Sequence, residues 1–337
     1  MPLLGKTLLL VENNSFLFDV RVKREALALR DAGYQVSVVA PGRRGKPLYE
    51  EYEGIYIYRF PTPHEGNSFI GFLWEFTYST SAMLLLSFWI LLRRGFDVIH
   101  AANPPDTLFI IGLIFKIAGK KFIFDHHDIS PETYLSRFNK NKPDQAYRIL
   151  RLLEKFSYRT ADAVIATNES YKKMAMERGE KAQQKIFIVR NGPSSDWMQK
   201  LPCDQESIET GTRTGHRTCY IGTMGPQDGV DYWLRSINLM VHQLDYKDFD
   251  SVIIGTGDEL ENLVSLAEKL NIEEYVIFTG PERISDEDAL RLLATADVCV
   301  HPDTLNHLND KSTMNKMMEY MALGNPIVSY DLTEARF

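Results

Sequence analysis

Short apolar runs rich in Val, Ile, Leu and Phe recur along this chain with helix-length segments between them. This alternation constrains the fold more than any other feature. In the first part, TLLLVE (7–12), YQVSVVAP (34–41), IYIYRF (55–60), FDVIHAA (96–102), KKFIFDHHD (120–128), ADAVIAT (161–167) and KIFIVRNG (185–192) read as strands. Helical spacing predicts helices at 22–32, 69–92, near 105–118, near 143–160 and near 169–178. A polar stretch without periodicity, 198–217, breaks the pattern. A second series then follows, with strands at 218–223, 250–257, 274–280, 296–302 and 326–330 and helices at 230–242, 258–270, 285–295 and near 312–323.

Strands that alternate with helices form parallel sheets covered on both faces. The expected fold class is therefore α/β, with two Rossmann-like doubly wound domains, 1–197 and 218–337, joined by a linker at 198–217. In such sheets ligands sit beyond the carboxyl ends of the strands, so those loops are expected to face a cleft between the domains.

Charge divides along the same boundary. Residues 1–200 hold 28 Lys and Arg against 21 Asp and Glu, whereas 201–337 hold 10 against 24, giving +7 and −14. The basic half suits an anionic surface or substrate, and an anionic membrane is the expected partner of the first domain. Three widely spaced cysteines, Cys203, Cys219 and Cys299, support neither a disulfide framework nor a zinc knuckle. The apolar N-terminal stretch is too short for a signal peptide and reads as a buried strand, so a cytoplasmic location is expected.

Residues 69–92 are about long enough to cross a bilayer, and Arg93 and Arg94 follow them. Glu75 and five serine and threonine residues argue against a span. A core helix fits better, and one face of it touching lipid is the alternative kept open.

The block STMNKMMEYMALGNPIV (312–328) resembles a segment of the family 4 retaining glycosyltransferases of GT-B fold, in particular the bacterial branch that builds surface polysaccharides. The resemblance runs over nearly the whole chain. It implies that Glu319 accepts hydrogen bonds from the ribose hydroxyls of a nucleotide sugar. Lys311 stands where the family carries a Glu toward the donor sugar. In YIGTMGPQDGVD (220–231), Thr223 and Asp228 stand where the family carries the Arg and Lys that face the donor diphosphate. Lys311 and Lys316, with a helix N-terminus near Lys311, Ser312 and Thr313, are expected to supply the missing positive charge.

Donor-side expectations also include Gly222, Gly255 and Gly257, whose lack of a side chain lets backbone amides approach a ligand, and Pro281 and Glu282 in the family's base-recognition position. FDHHDISPE (124–132) resembles the strand-end segment whose His contacts the transferred sugar, and His127 is the better match. Two histidines flanked by two aspartates suggest metal as well, but adjacent residues on an extended chain point apart and no third ligand is apparent. The Asp-x-Asp triplets at 248–250 and 286–288 are placed wrongly for a metal-diphosphate site, so no metal or cofactor is expected.

On the acceptor side, Asn13 and Asn14 replace a glycine-rich turn and are expected to form a left-handed turn. Asp19, Arg21 and Arg24 follow, as contacts to a phosphate-bearing acceptor or as a solvated helix surface. His100, Asn103 and Asp128 complete the expected lining.

The resemblance implies transfer of a sugar from a nucleoside diphosphate sugar, a UDP-sugar by expectation, to a lipid-linked or polysaccharide acceptor with retention and without metal. The expected place is the cytoplasm, peripheral on the inner face of the cytoplasmic membrane, and no nucleic acid is involved. A UDP-sugar epimerase of the same fold and a catalytically silent glycan-binding or partner protein are the alternatives. Because the family continues past PIVSY, the second domain is expected to be incomplete by roughly 50–80 residues.

Overall fold

The computed structural model describes residues 3–43, 45–62, 69–138, 140, 142–193, 215–282 and 284–336. By contact the chain divides into two compact units, Met1–Arg190 and Asn191–Phe337.

The first unit holds an eight-stranded sheet built from β1 (Gly5–Leu10), β2 (Tyr34–Pro41), β3 (Tyr49–Tyr52), β4 (Ile55–Phe60), β5 (Val98–Ala102), β6 (Lys121–His126), β7 (Ala163–Ala166) and β8 (Ile186–Ile188). Its order is β3-β4-β2-β1-β5-β6-β7-β8, and every pairing is parallel except β3 with β4. Helices α1 (Val20–Asp31), α2 (Phe69–Arg93), α3 (Phe109–Ile117), α4 (Ser130–Arg137), α5 (Gln145–Thr160) and α6 (Glu169–Gly179) connect the strands. The central strands are buried on both faces, which is why they read as continuous apolar runs rather than alternating ones.

Sequence periodicity missed β3 and α4. In β3 the run Tyr-Glu-Glu-Tyr is an edge strand of alternating exposure, too polar to register as a buried strand. The α4 helix is only eight residues long, with Pro131 in its first turn and few apolar positions.

The second unit is a five-stranded parallel sheet in the order β11-β10-β9-β12-β13. Its strands are β9 (His216–Ile221), β10 (Phe249–Ile254), β11 (Val276–Phe278), β12 (Val298–His301) and β13 (Ile327–Ser329), and its helices are α7 (Val230–His242), α8 (Leu260–Lys269), α9 (Asp286–Ala294) and α10 (Asn315–Leu323). Alternate residues of β9 and β10 serve opposite faces. Tyr220 and Ile253 pack under α7 and α8, whereas Cys219, Val252 and Ile254 pack under α9 and α10.

Most of the expected linker lies outside the described residues, but its last two positions are strand. Arg217 is buried in β9 because Nε and Nη2 grip both oxygens of Asp250 on β10, at 2.7 and 2.5 Å. A charged side chain satisfied in this way sits in a sheet without any apolar signature.

Candidate functional site

In the first unit, polar residues converge at the carboxyl ends of β5 and β6. Asp125, next to last in β6, is fully buried, and its Oδ2 lies 2.9 Å from His100 Nε2 and 2.7 Å from His127 Nε2. Burial works against the Asp125 charge, but the two imidazoles hold its carboxyl far below the usual carboxylate range. An ionised Asp125 only accepts, so both rings carry a proton on Nε2. Burial opposes protonation of the two rings, yet their hydrogen bonds and charge attraction to Asp125 leave both pKa values raised.

The other ring nitrogen of His127, Nδ1, is buried and has no hydrogen-bond partner among the described residues. Glu25 of α1 closes the cluster, 3.5 Å from His100 Nε2 and 4.0 Å from His127 Nε2. Burial, followed by the Asp125 charge, pushes the Glu25 carboxyl up to about 8.

Asn103 fixes the backbone around this cluster. Its Oδ1 accepts from the amides of His127 and Asp128, at 2.7 and 3.1 Å, and its Nδ2 donates to Asp106 Oδ1 and to the Asp128 carbonyl. The Asn103 amide is thus spent on holding His127 rather than open to an acceptor. His126 faces the other way, among Phe124, Tyr158 and Tyr171, with Nδ1 3.0 Å from the Tyr158 hydroxyl. Burial pulls its pKa down to about 3, so the ring stays neutral.

Glu25, His100 and Asp125 each present one ligand-type atom within 4.8 Å of the others. The acceptor from α1 is the third group that sequence reasoning did not find. The 2.7 and 2.9 Å separations between Asp125 and the two rings are hydrogen-bond lengths.

At the start of α1, Asp19 is buried and caps the helix, accepting from the amides of Arg21 and Val22 at 3.2 Å. Arg21 Nε lies 3.6 Å from the same carboxylate. Burial works against the Arg21 charge, but Asp128, Asp19 and Asp125 more than offset it. Arg24 is half-buried on the same helix.

Asn13 and Asn14 are exposed, and neither adopts the expected left-handed conformation. The turn forms instead at Ser15–Phe18. There the Ser15 carbonyl accepts from the amides of Phe18 and Asp19, and Asn14 Oδ1 accepts from the Ser15 amide, so no residue with positive φ is needed.

In the second unit the loops after β9 and β10 run backbone against backbone. Gly255 has φ +132°, and a Cβ there would stand 2.0 Å from the Gly222 carbonyl oxygen, while one at Gly257 would stand 2.5 Å from that of Met224. The Gly222 amide donates to Ile254 and the Gly255 amide to Thr279 Oγ1, so both are committed within the protein. At Gly255 and Gly257 the close packing of these loops explains the glycines. Thr223, Pro281 and Glu282 are exposed.

Lys316 on α10 is buried, with Nζ 2.6 Å from Asp303 Oδ1, 3.5 Å from Asp228 Oδ1 and 4.8 Å from the Tyr220 ring centre. Asp228 therefore does not leave a charge vacancy but faces this lysine. Burial raises the Asp228 carboxyl, and the nearby Lys316 only partly offsets that rise. Asp303 is also desolvated, yet His301 and Lys316 hold it below its ordinary value. Two carboxylates thus take up the positive charge assigned to a diphosphate.

The α10 helix begins at Asn315, so Lys311, Ser312 and Thr313 precede it. Lys311 ends a 3-10 turn, and the Ser312 hydroxyl donates to the Leu308 carbonyl instead of capping α10. Glu319 is half-buried on the second turn of α10.

The structure brings His100, Asn103, His127 and Asp128 together in the first unit, and the loops of Gly222, Gly255 and Gly257 together in the second. Sequence reasoning missed Glu25, Asp125, His301 and Asp303. For Asp125 a signal existed: two-residue spacing in FDHHD puts it on the same side of the extended chain as His127.

Residues 19–196 match the family described as Glycosyltransferase Family 4, and residues 215–336 match Glycosyl transferases group 1. A probable glycosyltransferase, WbjE, of Pseudomonas aeruginosa is 26% identical over 158 residues, which is 45% of this chain and 38% of that protein. An uncharacterized glycosyltransferase, MJ1059, of Methanocaldococcus jannaschii is 24% identical over 213 residues, 60% of this chain and 49% of that protein. The chain thus spans half the length or less of these curated relatives.

Among solved structures, the sucrose-phosphate synthase of Thermosynechococcus elongatus superposes with TM-score 0.70 at 15% identity, over 97% of this chain and 82% of that one. WaaG, a glycosyltransferase involved in lipopolysaccharide biosynthesis, gives 0.68 at 14% identity, over 98% and 82%. Anabaena HepE in complex with UDP gives 0.67 at 15% identity, over 98% and 82%. These likenesses establish the GT-B fold. With one family match covering more than half of its residues, the chain belongs to glycosyltransferase family 4.

Proposed function

We propose that this protein transfers a sugar from a UDP-sugar to a hydroxyl of a lipid-linked or polysaccharide acceptor, with retention of anomeric configuration and without a metal. The observation that carries this reading is His127. Its ring is fixed through Nε2 by Asp125 and its backbone amide by Asn103, while Nδ1 is left for a ligand. A ring held at two points fits a group that must meet a sugar hydroxyl in one orientation. The UDP complex of the Anabaena neighbour supports the choice of donor.

In this reading Glu319 accepts from the ribose hydroxyls, and the leaving diphosphate draws on Lys311 and the first amides of α10. Retention follows when the acceptor attacks from the face the diphosphate leaves, the diphosphate itself taking the acceptor proton. No protein nucleophile is then needed. We place the reaction in the cytoplasm.

A second reading, a relative that binds glycans without turnover, draws on Lys316 being taken up by Asp303 and Asp228. Incubating the protein with labelled UDP-sugars, with and without membrane extract, tests both. Transfer that requires extract supports the proposal. Release of UDP and altered sugar from donor alone would make it an epimerase, and absence of both UDP binding and turnover would favour the silent relative.

A further inference from the structure

Three neighbouring helices of the first unit each leave an apolar stripe uncovered. On α2 the residues Ser79, Met83, Ser87 and Ile90 are buried, while Leu85, Phe88, Trp89 and Leu92 face outward. On α3 the outward residues are Ile110, Leu113 and Ile117, and on α5 they are Ile149, Leu152 and Phe156. Both sets follow the spacing i, i+3, i+7 that marks one helix face. Leu85, Leu92 and Ile117 are 71, 85 and 91% exposed.

The stripes belong to adjoining helices. Phe88 of α2 meets Phe115 of α3 at 4.8 Å between ring centres, and Phe109 of α3 stacks on Phe156 of α5 at 5.6 Å. An exposed apolar area of this extent is unusual on a surface that meets only water.

Charge states what covers it. Arg148, Arg151, Lys155 and Arg159 run along α5 beside its apolar stripe, Lys116 lies on α3, and Arg93 ends α2 with its guanidinium 5.6 Å from the Trp89 ring centre. The α3 helix carries no acidic residue, and the only one on α5, Glu154, is buried. Lys155 and Arg159 share the one carboxylate of Glu180, Arg151 pairs with Glu154 at 3.1 Å and Lys116 with Asp162 at 3.1 Å, so the six cations named face three carboxylates.

We propose that the α2, α3 and α5 face docks on an anionic lipid bilayer. The apolar stripes enter the boundary between headgroups and acyl chains, and the flanking cations stay at headgroup level. The helices lie on the membrane and do not cross it, because the opposite face of α2 is spent on the protein interior, where Ser79 Oγ donates to Glu12 at 2.9 Å and Thr80 bonds Thr107 at 2.8 Å. A second copy of the chain is a poorer occupant, since two such faces would oppose like charges. The inference does not depend on the transferase reading.

Sedimentation of the full chain with vesicles of phosphatidylcholine, with and without phosphatidylglycerol, tests it. The protein should bind the mixed vesicles at least ~tenfold better than the neutral ones, because each basic residue near an anionic surface adds to the attraction. Binding should fall by at least ~tenfold when Leu85→Ser, Leu92→Ser and Ile117→Ser are combined, since all three side chains are exposed and their methylenes contribute only on the membrane. Arg93→Gln with Arg148→Gln should remove most of the preference for phosphatidylglycerol. Binding to neither vesicle, equal binding to both, or an unchanged triple variant would overturn the proposal. So would a dimer in light scattering that the triple variant dissolves, which would assign the face to a second copy.

Discussion

His127 Nε2 and Asp125 Oδ2 lie 2.7 Å apart, both side chains buried, and this bond orients the ring whose other nitrogen has no partner among the described residues. In the proposed reaction Asp125 never touches the sugar and acts through His127. Asp125→Asn keeps the shape but removes the negative charge that favours the protonated form of both rings. The variant's kcat should fall on the order of 10²-fold with little change in the donor KM, as for other positioning groups. A rise in KM at constant kcat would place Asp125 in ground-state binding instead.

Lys316 carries a different expectation. Removing it leaves Asp228 and Asp303 desolvated beside each other, and breaking a buried ion pair from one side typically costs about 3–5 kcal/mol. Lys316→Met should therefore lower the unfolding midpoint in urea markedly. Adding Asp303→Asn should recover a large part of the loss. If Lys316→Met unfolds like the parent protein and only weakens UDP binding, the lysine serves the diphosphate and not the fold.

Acid should expose His126. Its folded-state pKa of about 3 lies below the ordinary 6.5, so between those values the unfolded chain takes up a proton that the folded chain refuses. Stability is lost as pH falls through that window. His126→Phe removes this contribution, and Tyr158→Phe controls for the hydroxyl it leaves without a partner. Urea titrations at pH 6.5 and 4.5 should show a smaller loss in the variant than in the parent protein; equal losses would contradict the assignment.

Glu25 works in the opposite sense. Its folded-state pKa of about 8 exceeds the ordinary 4.5, so its contribution is present in full below 4.5 and is lost as pH rises toward 8. Glu25→Gln mimics the neutral form. Stability of this variant should change less between pH 5 and 8 than that of the parent protein, as read from thermal unfolding in matched buffers.

Much of this was legible in the sequence because parallel strands buried on both faces announce themselves: β2, β4 and α7 have the bounds that periodicity predicts. Arg217 and the edge strand β3 escaped because their placement rests on a charge pair and on an antiparallel hairpin, neither of which leaves an apolar period. The site was legible in part. His127 and Asn103 follow strands, but Glu25 reaches the cluster from α1 and Asp303 reaches Lys316 from the end of β12. Partners 75 or more positions apart in sequence, as with His100 and Glu25, are joined by topology rather than by any local motif. The committed amides of Gly222 and Gly255 teach the same lesson, since those glycines answer a close approach of two loops.

In the proposed reaction sugar passes from a UDP-sugar through a site in which His127 meets the sugar. Its most direct measurement follows labelled UDP-sugars into acceptors of a membrane extract, with the parent protein and His127→Ala side by side. The parent protein should give extract-dependent incorporation and the variant a loss of roughly 10²-fold or more, as for removal of a group that acts in the transition state. Equal incorporation by both proteins, or none from any UDP-sugar by a folded parent protein, would contradict it.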